Sequence, residues 1–165
     1  MTAENKGFSR RKLLKAGAVG VPTAGLLAFG STLVTATSAN AISADGWWGS
    51  ETSSGFQRFM NAALGANLVV DGVISSQPSR VAPRCPGIVG GWEWVESNQA
   101  KGSPAIAWME KWLGLTEAWD TSGKFRETEI NLLQHHYGFS YGDGRLDGPS
   151  QTIKALQNEI NQWVG

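Results

Sequence analysis

Asp143-Gly144-Arg145-Leu146-Asp147-Gly148, followed after Pro149-Ser150-Gln151 by Thr152-Ile153-Lys154-Ala155-Leu156-Gln157, joins a tight turn to an amphipathic segment. Glycine after aspartate permits positive φ in the turn. Beyond it Ile153, Leu156, Ile160 and Trp163 fall at i, i+3, i+7 and i+10, one stripe of a helix. The pair of elements recurs. Asp45-Gly46-Trp47-Trp48-Gly49 precedes Phe56, Phe59, Met60, Ala63 and Leu64 at helical spacing. The degenerate Asp120-Thr121-Ser122-Gly123-Lys124-Phe125 precedes Ile130, Leu133 and Tyr137, and a further turn stands at Asp71-Gly72-Val73-Ile74-Ser75. Each turn has an apolar residue two positions after its glycine (Trp48, Ile74, Phe125, Leu146), which predicts one inward-pointing anchor per unit. Internal repetition therefore organises the chain.

A fourth helix is predicted from Ser103 to Leu113. Ser103 is a capping residue, Pro104 suits the first turn, Ile106, Met109 and Leu113 form the stripe, and Gly114 ends it. The expected fold class is mainly α. Three stripes carry a glutamine directly after an apolar residue, Gln57 after Phe56, Gln134 after Leu133 and Gln157 after Leu156. A buried amide needs partners, so the expected job of these glutamines is to hydrogen-bond a neighbouring turn. Residues 77–101, with Pro78, Pro83, Pro86, Gly87, Gly90 and Gly91, read as a linker whose one ordered-looking piece is Trp92-Glu93-Trp94. In an extended segment the two indoles share a face, either clamping the flanking units or offering a stacking platform.

The amino-terminal region has a different character. Arg10 and Arg11 stand in a polar stretch before a weakly apolar run, and Ala39-Asn40-Ala41 supplies small residues for cleavage. Residues 1–41 thus read as a twin-arginine export signal removed after Ala41, with the twin-arginine translocase as its partner and a secreted, wall-associated destination. The remaining 124 residues carry nine basic and thirteen acidic side chains, a formal charge of −4. No basic stripe is available to neutralise phosphates, which argues against nucleic acid as a partner. All eight tryptophans lie after the signal, so aromatic surface is what the chain has in excess. Cys85 is the single cysteine, which precludes an intramolecular disulfide and suits a small buried apolar role.

The order Gly102-Ser103-Pro104-Ala105-Ile106, Met109-Glu110-Lys111-Trp112-Leu113-Gly114, an Asp-Gly-type loop, a helix with Gln134, the turn at Asp143-Gly144 and Thr152 to Gln157 resembles the peptidoglycan-binding modules appended to secreted bacterial wall hydrolases. The resemblance implies a small helical bundle, with residues 102–165 as one complete three-helix unit and 42–76 as a partial repeat. Gly49, Thr52, Phe56 and Gln57 lie on the motif of the partial copy, whereas Arg126 stands where a glycine is expected. It also implies a non-catalytic module that binds peptidoglycan or a related wall polymer and needs no cofactor. Trp48, Trp112 and Trp163 sit on motif or stripe positions and are expected in the core. Trp47, Trp92, Trp94 and Trp119 lie off them and are the ligand-binding candidates, since flat aromatic faces stack on sugars.

Two other readings stay open. A degenerate repeat could serve a secreted protein-binding or structural scaffold. A small wall hydrolase is the third, but the histidines His135 and His136 are adjacent in a predicted helix and point about 100° apart, so they do not chelate a metal together. No Gly-x-Ser-x-Gly or His-Glu-x-x-His pattern is present.

Overall fold

The computed structural model describes residues 39–115, 121–140 and 142–165. Arg10, Arg11 and Trp119 lie outside the described residues, as does the Asp120 end of the degenerate turn. The described chain runs α1 (Ser50–Leu64), β1 (Ile74–Pro78), a 3-10 segment (Ser79–Arg84), β2 (Trp92–Val95), α2 (Pro104–Trp112), α3 (Glu127–His136) and α4 (Gln151–Val164). It is mainly helical, with one small sheet. The ends of α2 follow from its sequence: Ser103 Oγ accepts the Ile106 N–H, Pro104 occupies the first turn, and Gly114 past the end adopts φ +87°. Ser150 caps α4 in the same way through the Ile153 N–H.

The first helix packs along the last. Gly55 sits in the middle of α1, a placement that costs about 0.5–1 kcal/mol relative to alanine, because a Cβ there would press on Ile160 of α4 and on Ile42. Ile42 itself is tied to α4, its N–H donating to Asn161 Oδ1 at 2.8 Å and its carbonyl accepting from Asn161 Nδ2 at 2.8 Å. The segment read as a partial repeat is thereby completed by the opposite end of the chain. The described residues fall in one compact unit.

The four anchors Trp48, Ile74, Phe125 and Leu146 are fully buried, as the repeat predicts. Around them lie Phe56, Phe59 and Met60 of α1, Ile106 and Met109 of α2, Ile130 and Leu133 of α3, and Ile153, Leu156 and Ile160 of α4, all without solvent exposure. Aromatic rings run through this core in continuous contact. Trp92 meets Trp48 edge-on at 5.2 Å, Trp48 meets Phe56 at 5.9 Å, Phe56 meets Phe59 at 6.3 Å, and Phe59 meets Trp112 at 5.3 Å. Such pairs contribute about 0.5–1.5 kcal/mol each beyond their burial. Part of the tryptophan excess is therefore structural. Trp163, expected in the core, is instead 37% exposed and rests one face against Phe59 at 5.8 Å, because the stripe reaches the last turn of α4 where less protein covers it.

Residues 77–101 do not behave as a connecting loop. β1 and β2 pair in parallel, Ile74 opposite Trp92 and Gln77 opposite Trp94, with an irregularity between Ile74 and Gln77. Parallel strands require a long crossover, and the 3-10 segment with residues 85–91 supplies it. The same stretch supplies backbone partners to the buried anchors. Trp48 N–H donates to the Gly87 carbonyl at 2.8 Å and Ile74 N–H to the Gly91 carbonyl at 2.8 Å. Leu146 N–H donates to the Arg84 carbonyl at 2.8 Å, and Phe125 N–H to Gln77 Oε1 at 2.7 Å. Burying a side chain buries its backbone, and those groups need partners. The Pro/Gly-rich segment is where they find them.

Candidate binding site

Each helix holds a turn through one side chain. In α1, Gln57 Oε1 accepts the N–H groups of Gly72 at 2.9 Å and Asp71 at 3.1 Å, while Nε2 donates to Asp71 Oδ1 at 2.7 Å and to the Val73 carbonyl at 3.2 Å. In α3, Gln134 Oε1 accepts the Gly144 N–H at 3.3 Å and Nε2 donates to Asp143 Oδ1 at 2.8 Å and the Arg145 carbonyl at 3.0 Å. In α4, Gln157 reaches back to the first turn. Its Oε1 accepts the Gly46 N–H at 2.9 Å, and Nε2 donates to the Trp47 carbonyl at 2.9 Å, Thr52 Oγ1 at 3.0 Å and Asp45 Oδ1 at 3.2 Å. The expected role of the glutamines is thus met, and the last helix closes the series onto the first turn.

The fourth turn is held by a different set. Glu110 follows Met109 in α2 as the glutamines follow their apolar neighbours, and its Oε2 accepts the Gly123 N–H at 3.2 Å. Ser122 replaces the aspartate, so the carboxylate stands on the helix rather than in the turn. The amide comes from Gln77 of β1, whose Nε2 donates to the Gly123 carbonyl at 3.0 Å. Gly102 and Gly123, both at positive φ, let the two backbones meet so closely that Ser103 N–H donates to the Gly123 carbonyl at 2.9 Å. Arg126 places its guanidinium 2.9 Å from Glu129 Oε1 and 3.9 Å from Glu110 Oε1, and both carboxylates are fully buried. The departures that make this copy look degenerate are matched to one another. Gln77 escaped the sequence reading because it lies on a strand, off the helical spacing; the signal for Glu110 was its place after Met109.

In two of the turns the hydrogen bonds favour the charged form of the aspartate. The Trp47 N–H, helped by Gln157, holds the Asp45 carboxyl below its usual range. Gln57 and the Val73 N–H do the same for Asp71. A carboxyl lowered in the folded state contributes stability that is present above the ordinary carboxylate range and is lost as pH falls through it. Asp71→Asn, which keeps an acceptor and removes the titration, should therefore flatten the acid limb of a plot of melting temperature against pH; a limb as steep as in the parent would refute this. Burial pushes the Cys85 thiol up to about 12, which leaves it protonated and unreactive.

The residue after the turn glycine is exposed in three turns, at Trp47, Val73 and Arg145. Trp47 is 38% exposed and lies over Gly148, where any Cβ would strike the indole. Val73 is exposed and borders a groove of about 400 Å³ between the 66–75 segment and the start of α2. Trp108, Val69, Asn67, Asp71 and Ser75 line it with Gln57 and Pro104. Trp108 is half-buried and carries Lys111 Nζ 4.4 Å from its ring centroid. The groove volume is within the range of small-molecule sites, about 300–1,000 Å³. Its lining combines an indole, aliphatic side chains and hydrogen-bonding groups.

The candidate tryptophans are not gathered in this groove. Trp92 and Trp94 share a face as the alternation predicts, but stack on each other at 5.2 Å and 22°, and Trp92 also contacts Phe125 at 5.0 Å. Both are half-buried and packed against the core. Trp47 stands apart at the first turn. Trp108 drew no assignment from sequence, since its neighbours in the groove come from a segment some forty residues away. His136 and Tyr137 meet Glu159 of α4 at 3.4 and 2.8 Å, whereas His135 is exposed. Among the described residues no group of three or more His, Cys, Asp or Glu side chains is placed to hold a metal ion. The chain matches no protein-family model, no curated protein and no solved structure.

Proposed function

We propose that this protein is a secreted, non-catalytic module that binds peptidoglycan or a related wall polymer, built as a peptidoglycan-binding-type helical bundle. The observation that carries the reading is the groove beside the Gln57-held turn, where Trp108 offers an aromatic wall and Asp71, Asn67 and Ser75 offer polar groups at the rim. An aromatic face with nearby hydrogen-bonding groups suits the apolar and hydroxyl faces of a sugar. The glutamine-held Asp-Gly turns fit the repeat of that family. Purified protein should cosediment with isolated sacculi, and Trp108→Ala should weaken that binding by roughly 1 kcal/mol or more, about fivefold, with little change in melting temperature. Failure of the folded parent to cosediment would overturn the reading.

Exposed Val69 (78%), Val70 and Val73 beside the groove favour a second reading, a protein-docking scaffold. Sacculi stripped of bound protein separate the two, since a scaffold would then find no partner.

Export rests on Arg10 and Arg11 and on the cut after Ala41. Ala39, Asn40 and Ala41 are exposed, and Ile42 is the first buried residue of the described chain, bonded to Asn161. A cut after Ala41 would fall in an exposed stretch, immediately before the first buried residue of the described chain. Arg10→Lys with Arg11→Lys should leave folded protein in the cytoplasm. Undiminished secretion of that variant, or a mature start well away from Ile42, would refute the assignment.

A further inference from the structure

The chain contains four Asp-Gly dipeptides, at 45–46, 71–72, 143–144 and 147–148. Asp-Gly is the dipeptide most prone to isomerise, because glycine leaves the following amide nitrogen unhindered. That nitrogen attacks Cγ of the aspartate; the N–Cγ bond forms, and a carboxyl oxygen leaves as water with the amide proton and, from the carboxylate, one proton from solvent. Water then opens the succinimide at the main-chain carbonyl, breaking its bond to nitrogen, and the backbone thereafter runs through the side-chain carbon as isoaspartate. No oxidant or cofactor is needed.

We propose that the glutamine clamps protect three of these bonds and that Asp147–Gly148 is the isomerisation site of the folded chain. In each protected turn the attacking nitrogen belongs to a buried glycine whose N–H is given to a glutamine Oε1: Gly46 to Gln157, Gly72 to Gln57 and Gly144 to Gln134. The same amide holds the electrophile, since Asp45, Asp71 and Asp143 each accept Nε2 at Oδ1. Attack requires the nitrogen to lose one partner and the carboxylate another at the same time. Gly148 is half-buried, and its N–H donates to no group among the described residues. Among the described residues Asp147 is held by Arg145 alone, at 2.9 and 3.1 Å, and the two side chains are well exposed, Arg145 at 42% and Asp147 at 59%. The pair is two-pronged but lies open to solvent, where water and salt compete with it, and no glutamine amide holds either partner of the reaction. Four copies of one dipeptide in one chain thus differ in tertiary protection while their intrinsic chemistry is the same.

The consequence falls on Trp47, whose indole lies over Gly148. Isomerisation adds a methylene to the backbone beneath that ring and should change its fluorescence.

The test ages the folded full chain at neutral pH and maps isoaspartate by fragmentation mass spectrometry at each of the four bonds, with a sample in urea as reference. The expected result is comparable isomerisation at all four in urea and, when folded, a rate at Asp147 roughly tenfold above each of the other three. An even distribution in the folded chain, or a folded rate at Asp147 no higher than at Asp71, overturns the proposal. Gln57→Leu should release Asp71 selectively; a folded variant in which Asp71 stays slow overturns the protective role of the clamp. Should that variant not fold, the distribution in the parent still decides.

Discussion

Truncating Phe56 to alanine should lower the free energy of unfolding by about 3–5 kcal/mol. Phe56 is fully buried in α1, and its ring touches both Trp48, the anchor of the first turn, and Phe59, which leads on to Trp112 and Trp163. Removing it opens a cavity at the centre of the aromatic run, where the neighbours are held by backbone hydrogen bonds and cannot collapse inward. A domain of this size has about 5–15 kcal/mol in total, so the variant should stand near the threshold of folding. Urea denaturation followed by tryptophan fluorescence measures it. A loss below about 1 kcal/mol would show that Phe56 is not a core position.

Arg126→Ala should cost about 3 kcal/mol through a different mechanism. The guanidinium is the cation shared by Glu129 and Glu110, both fully buried, and its removal leaves their charges together without it. Urea denaturation of the variant beside its parent measures the loss, and one below about 1 kcal/mol would show that the two buried carboxylates do not depend on this guanidinium. The pattern of the other turns suggests a companion experiment. Glu110→Gln with Ser122→Asp would move the carboxylate from helix to turn, restoring the arrangement of Gln57 with Asp71. Each single change should destabilise and the pair should recover, with a coupling of about 0.5–3 kcal/mol. Additive losses would mean that Glu110 and Ser122 are not one unit.

These charge exchanges explain why the copy at Ser122-Gly123 is hard to read in sequence. Seen in sequence, Ser122 for aspartate, Glu110 for glutamine and Arg126 for glycine are three separate departures from a motif. In the fold they surround Gly123. Helix periodicity made α1 through α4 legible because 3.6-residue spacing is a local property, and the anchors Trp48, Ile74, Phe125 and Leu146 were legible because each occupies the same offset in its turn. The candidate site was less so. The period-two alternation puts Trp92 and Trp94 on one face, yet nothing local indicates that they stack on one another. Trp108 becomes interesting through its partners in the 66–75 segment, a relation that no spacing rule carries.

The sequence by itself determined the helices with their caps at Ser103 and Ser150, the four turns, the inward anchors and the glutamines that hold turns, all set by contacts a few residues apart or by an offset that repeats. Tertiary structure alone decided which turn each glutamine holds, above all that Gln157 closes onto Asp45-Gly46 across the length of the folded chain. It also decided that the Pro/Gly-rich residues 77–91 supply hydrogen-bond partners to the buried anchors and do not form a tether. The reason is that a buried anchor brings buried peptide groups with it, and the partners that satisfy those groups are chosen by proximity in space, to which sequence spacing gives no guide.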